Sequence, residues 1–232
     1  MDVNWTTVTP DEVLGFWFPD DGHDKTIEAH QDFWALRMRG GVDKPVCERF
    51  SDLTLAGAKG QLDHWAATAR GRLALLIVLD QFSRSVWRDT PGAFAQDIKA
   101  TRLALAGLEN GDYLALTNWW EREFFLIAIS HCEGPDHLQR LATLHRLTAD
   151  LGAMVPAHLL SFYTLVLDHD KSVFDVISRY GRHPHRNKIL QRVTTDAEAI
   201  YLETGTFPHE SKIPVTTPQS TASSADQGTA ST

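Results

Sequence analysis

Three clusters of ionisable residues stand out because each follows or interrupts a strongly apolar stretch. The first is Asp80, Gln81, Arg84 and Arg88; the second is His131 and Glu133; the third is Arg179, Arg182, His183, His185, Arg186 and Asn187. Arginine forks suit a carboxylate or phosphate. A histidine beside an Asp or Glu can act as general acid or base near neutral pH. On that chemistry Asp80, His131, Glu133 and His185 are the candidate catalytic groups. Gln81, Arg84, Arg88, Arg182, Arg186 and Asn187 are the candidate ligand-binding groups. The arginines of these clusters outnumber Asp80 and Glu133, which points to an anionic ligand. Buried charge needs partners, so the clusters are expected to meet in one pocket, within about 10 Å of each other.

Each cluster also has a purely structural reading. Asp80 and Arg84 have the spacing of an intrahelical ion pair. His131 and Glu133 follow a helix end, where a histidine can cap the last carbonyls. The His-Arg loop could simply pin neighbouring helices through arginine hydrogen bonds. His131, Glu133 and His185 are conceivable metal ligands, but no HExxH or paired CxxC spacing supports them, and no metal is expected. Cys132 is adjacent to His131, yet adjacent residues on a helix point in different directions, so it is a poor nucleophile candidate. No phosphate-cradling glycine loop, dinucleotide fingerprint or serine elbow is present, so no cofactor is expected.

The element that must position the first cluster is the stretch from Arg70 to Arg88. Leu73 to Leu79 is an unbroken apolar run, and a helix apolar all round is buried all round. Without a Gly or Pro to end it, the run delivers Asp80, Gln81 and Arg84 to one face. Earlier, Thr9-Pro10-Asp11-Glu12 is a helix start with a capping box. Further helices are predicted over about 23–39, 44–58, 97–107, 119–130, 136–151, 156–180, 188–192 and 195–203. Trp119, Trp120 and the other aromatics read as core. No segment alternates with period two, so the chain is predicted to be all-α, with antiparallel helical hairpins stacked in a tetratricopeptide-repeat-like array. Residues 1–210 are expected to form one helical domain. From Ser211 the chain is Ser, Thr, Ala, Gln and Pro with almost nothing to bury, and a disordered tail is expected over 211–232.

The 232 residues carry a net charge of −8, which argues against a nucleic-acid partner. The longest apolar run is far too short for a membrane span. Two distant cysteines, Cys47 and Cys132, and no signal-like N-terminal segment lead to the expectation of a cytoplasmic protein.

The motifs LDQFSRSVWR followed by TPGAF, then FFLIAISHCE and YGRHPHRNKIL, resemble a bacterial family known as domain of unknown function 924. The early VLGFWF and the stretch LDHWAATARGRLALLIVLDQF are similar to it too. Ser83 and Ser85 stand where the family commonly has Pro and Asn, and Cys132 where it has Ser. The resemblance implies an all-helical, tetratricopeptide-like fold and no established activity. It implies that the shared polar pattern falls on Asp80, Gln81, Arg84, Arg88, His131, Glu133, Gly181, Arg182, Pro184, His185, Arg186 and Asn187. Two functions remain: a pocket that binds or converts a small carboxylate or phosphate, or an interaction module that holds a peptide or protein in a helical groove.

Overall fold

The computed structural model describes residues 4–205, 207 and 208. The expected tail lies outside them. Among the described residues there is no strand, and the fold is all-α. The helices are α1 (Pro10–Trp17), α2 (Ile27–Met38), α3 (Asp43–Ala58), α4 (Ala69–Leu76), α5 (Ser83–Val86), α6 (Asp97–Glu109), α7 (Asp112–Ala115), α8 (Trp119–His131), α9 (His137–Leu151), α10 (Leu160–Tyr180) and α11 (Asp196–Glu203). Between α4 and α5 the chain does not straighten or break. It widens into a π-helical segment, Ile77–Phe82. The apolar periodicity carries no sign of that widening.

Local chemistry explains most boundaries. Thr9 accepts from the Glu12 amide while the Glu12 side chain reaches back to Thr9, the capping box read from the sequence. Thr26 and Thr68 cap α2 and α4 in the same way with a single hydroxyl. Thr26 moves the start of α2 to Ile27, four residues after the predicted His23. Gly181, left-handed at φ 69°, ends α10 as a glycine can without penalty. The predicted helix over Pro156–Tyr180 begins with a short 3₁₀ turn, Ala157–Leu159. Lys188–Arg192, predicted helical, is a run of turns instead, with Gln191 at φ 53°.

The α4 segment sits in the middle. It contacts α1, α6 and α8, while the π-helical segment packs on α1, α3 and α6. Every residue from Gly71 to Ser83 is buried. Around it, aromatic rings interlock: Phe82 stacks on Phe50 with centroids 4.8 Å apart, and Trp17 meets Phe82 and Phe124 edge-on. Successive α8, α9 and α10 pack on one another in turn. A central helix enclosed on several sides is what the seven-residue apolar run demands. In the expected hairpin array, each pair would touch chiefly its neighbours.

The interior also encloses ionisable groups. Burial pushes the pKa of His30, His137, His169 and His185 down to about 4, and that of His183 well below its usual value. Burial pushes three acids the other way, Glu123 well up, Asp170 to about 6, and Asp97 upward against the pull of Arg84 and Arg186.

Two outcomes follow. Gly71→Ala should destabilise by about 3 kcal/mol, because a Cβ there would stand 2.1 Å from the Trp65 carbonyl oxygen, which is backbone. The roughly 1 kcal/mol that alanine gains in a helix is too small to offset that clash. Urea unfolding followed by circular dichroism gives the sign and size.

The second outcome concerns acid. A histidine with a lowered folded pKa contributes stability above about pH 6.5 that is lost as pH falls toward its folded value. The three acids with raised values contribute in the opposite sense, gaining as pH falls. Five histidines outweigh three acids, so unfolding should take up a net of roughly two protons near pH 5. The urea midpoint should therefore drop steeply between about pH 6.5 and 4.5; a flat profile would refute the assignment of neutral buried histidines.

Candidate functional site

Asp80 lies on the π-helical segment with its side chain 2% exposed. A carboxylate carried into a core is strongly unfavourable unless compensated. Here three groups compensate it. His131 Nδ1, from the last residue of α8, is 2.8 Å from Oδ1 and 3.0 Å from Oδ2. Gln81 Nε2 donates to Oδ2 at 2.5 Å, and Arg84 Nη2 donates to Oδ1 at 3.3 Å. Burial alone would raise the Asp80 pKa, but the charge and hydrogen bond of His131, then Arg84 and Gln81, hold it below the usual carboxylate range. Asp80 is thus an anion that fixes the His131 ring. With Nδ1–H donated to Asp80, the ring orientation is fixed, and His131 borders the cavity.

Arg84 does more than pair with Asp80. Its Nη2 also donates to Asp97 Oδ1 at 2.8 Å, and its Nη1 to the Ala93 carbonyl. Asp97 opens α6, and its other oxygen accepts from Arg186 Nη1 at 3.1 Å. That same Arg186 nitrogen donates to the His131 carbonyl at 2.9 Å. The Phe94 ring lies under both guanidiniums, with Arg84 at 4.8 Å and Arg186 at 4.5 Å from its centroid. Burial, then the neighbouring Arg84, lowers the Arg186 pKa to about 10, so it remains a cation. In this way the first cluster, His131 and the His-Arg loop are joined by direct contacts.

These groups border a cavity of about 830 Å³. Of the residues chosen from the sequence, Gln81, Arg84, Arg88, His131, His185 and Arg186 line it, and Asp80 stands directly behind His131. His185 faces it as a neutral imidazole, since burial and then Arg186 push its pKa down to about 4. Arg88 lines the rim but is tied to Asp43, with Nη2 2.7 Å from Oδ1. Trp17, Trp34, Trp120 and Phe162 contribute apolar wall.

Three expected site residues face elsewhere. Glu133 binds Arg192 and accepts from the His183 amide at 2.7 Å, which anchors the 183–192 loop to the end of α8. Asn187 is fully buried, accepting from Arg192 Nε at 3.0 Å. Arg182 forms a fork with Glu198, Nε to Oε1 2.7 Å and Nη2 to Oε2 2.9 Å, and so ties the loop to α11. Each of these hydrogen bonds supports the loop rather than the cavity. The expected excess of arginine is also corrected, because carboxylates from outside the three clusters neutralise it: Asp43 for Arg88, Asp97 for Arg84 and Arg186, Glu198 for Arg182.

The sequence reading missed several residues of the site: Asp97, which bridges Arg84 and Arg186, and Arg37 and Glu123, which line the cavity. Asp97 looked like an ordinary acidic first-turn residue of α6. Arg37 lines the cavity from α2, stacked 3.5 Å from the Phe33 centroid, with Nη2 donating to the Phe16 carbonyl at 3.3 Å. Burial lowers its pKa to about 10, and no carboxylate among the described residues is within ion-pair distance of it. Glu123 was the most visible of the missed signals, an acid set among Trp119, Trp120, Phe124 and Phe125. No three of His, Cys, Asp or Glu among the described residues are grouped to hold a metal ion.

Known proteins add a family without a function. A solved structure of a protein of unknown function from Agrobacterium tumefaciens is similar to this chain at 31% identity and a TM-score of 0.65, over 84% of this chain and 97% of that one. No curated protein matches the chain. Residues 13–206 match the model of the family described as "Bacterial protein of unknown function (DUF924)". That span runs from α1 to just beyond α11 and contains every residue of the Asp80 network, so the chain belongs to the DUF924 family.

Proposed function

We propose that this protein binds a small anionic molecule, a carboxylate or phosphate with an apolar body, in the cavity beside His131. The observation that carries the reading is the gathering of Gln81, Arg84, His131, His185 and Arg186 around one cavity of about 830 Å³, a volume in the range of small-molecule sites. The sign of the ligand comes from Arg37. Arg84 is paired with Asp80 and Asp97, and Arg186 shares Asp97, whereas Arg37 lines the same cavity with no carboxylate at ion-pair distance among the described residues. Asp21 acts on Arg37 only from beyond ion-pair distance, and a desolvated guanidinium with no carboxylate in contact favours an anion brought from outside.

The Asp80–His131 pair adds a chemical capability. An anionic aspartate that orients an imidazole through Nδ1 is the arrangement by which a histidine is set up for general acid–base chemistry. We therefore extend the proposal to proton transfer on the bound molecule. A peptide-binding groove is less well supported, because the polar groups are drawn into one cavity instead of being spread along a helical face. The tetratricopeptide-like arrangement of hairpins has its place only within that second reading.

Truncation separates the two kinds of arginine. Arg84→Met leaves the carboxylates of Asp80 and Asp97 buried and short of a partner, so it should destabilise by about 3–5 kcal/mol. Arg37→Gln strands no carboxylate and should change stability by less than about 1 kcal/mol. In the parent protein, a binding carboxylate or phosphate at a hundredfold excess over its Kd should add about 2.7 kcal/mol. That corresponds to a rise in Tm of several degrees, and Arg37→Gln should abolish most of it. Melting curves of parent and both variants against a panel of alkanoates and phosphate esters make the comparison. A panel with no effect on the parent would overturn the binding reading.

A further inference from the structure

A second polar centre borders the same cavity, and the Asp80 network makes no use of it. Glu123 on α8 is 2% exposed and lines the cavity, and its Oε2 has no hydrogen-bond partner among the described residues. Asp170 on α10 also lines it, and its Oδ2 is equally shut off and unpartnered. An unpaired acid buried at such a position is costly for a fold that has no use for it. No lysine or arginine among the described residues forms an ion pair with either. The groups that act on the pair are few. Glu123 feels Asp170, while the Thr148 hydroxyl and His145, both from α9, act on Asp170 in the opposite sense. Asp168 adds further negative charge to the lining from α10, while Asp175 on the same lining is paired with Lys171 at 2.6 Å. Trp34, Trp120 and Phe162 line the same cavity, Trp120 one turn before Glu123 on α8.

Two carboxyls without a protein cation, beside aromatic rings, form a receptor for a positive charge. We propose that Glu123 and Asp170 receive an ammonium group of the ligand. The ligand class is then an amino acid in the broad sense: an anionic group at the arginine and histidine end, an apolar body along the tryptophans, and an amine at the far end. Trp120, Glu123, Ile127 and His131 follow one another along a single face of α8 at helical spacing. Glu123 and His131 are eight residues apart, a rise of about 12 Å. The cavity therefore has two poles that an extended molecule can bridge. This identification rests on the anion-binding reading of the cavity for its other half.

An ammonium is held most strongly when both carboxyls are ionised, so seating it favours passing the proton held by the pair to solvent. No bond to the ligand forms or breaks; one O–H bond of the acid pair is exchanged for a buffer-bound proton. Burial raises both acids, Asp170 to about 6, and so favours a proton on the pair; its release upon binding is the signature of this site.

The test uses the full chain and three matched probes: hexanoate, hexylamine and ω-aminohexanoate. Isothermal titration in two buffers of different ionisation enthalpy gives affinity and proton release together. The expected result is that ω-aminohexanoate binds about tenfold tighter than hexanoate and releases close to one proton, which hexanoate does not. Glu123→Gln should remove both the tenfold gain and the release while leaving hexanoate affinity within about twofold. Should Glu123→Gln fail to fold, Asp170→Asn carries the same comparison. Equal binding of hexanoate and ω-aminohexanoate, an increment that survives both substitutions, or no response to either amine overturns the proposal. A response to hexylamine without one to hexanoate would keep the ammonium subsite and discard the anion-binding reading.

Discussion

The Asp80 carboxylate is the constraint from which the rest of the molecule around it follows. A helix whose every face is buried gives the fold its largest apolar contribution, and it then has to carry a charge out of that core without meeting water. The π-helical widening at Ile77–Phe82 is where this happens, and such insertions occur often at functional sites. Compensation comes from three directions: Gln81 next in sequence, Arg84 one turn on, and His131 across the packed face of α8. Arg84 then needs Asp97, Asp97 is shared with Arg186, and Arg186 holds the carbonyl at the end of α8. One buried anion thus recruits α6, α8 and the 183–192 loop. The loop itself is kept in place from behind, by Glu133 with Arg192 and by Arg182 with Glu198.

The sequence revealed the part of this network that is local. The apolar run Leu73–Leu79, the delivery of Asp80 and Arg84 to one face and the capping box at Thr9 all depend on neighbours within a turn or two. The all-α class was legible for the same reason. The helix widening was not, because an extra residue in a turn leaves no mark in a stretch apolar on all sides. Asp97 and Arg37 were invisible for another reason. Each sits where its residue type is ordinary, an acid in a first helical turn and a basic residue late in α2. Their importance comes from what the tertiary fold sets opposite them. The same limit explains why Glu133, Arg182 and Asn187 looked like site residues: their types and proximity match those of Arg186 and His185, and only the direction of each side chain separates support from cavity.

How the charges are neutralised offers a more general guide. Where this protein has a purely architectural charge, it is answered within the chain: Arg72 by Asp112 at 2.7 Å, Arg182 by Glu198, Glu133 by Arg192. Around the cavity the accounting is left open at separate points, a cation at Arg37 and acids at Glu123 and Asp170. An internal partner would have been easy to supply, since Arg37 and Glu123 border the same space. Buried charges left without a contacting partner cost stability, and the proposed ligand site is placed where they occur. The Asp80–His131 pair lies between these two regimes, fully compensated in its carboxylate and open to the cavity through its imidazole. That division, a rigid anion behind and an oriented ring in front, is what allows one residue pair to serve the core and the cavity together.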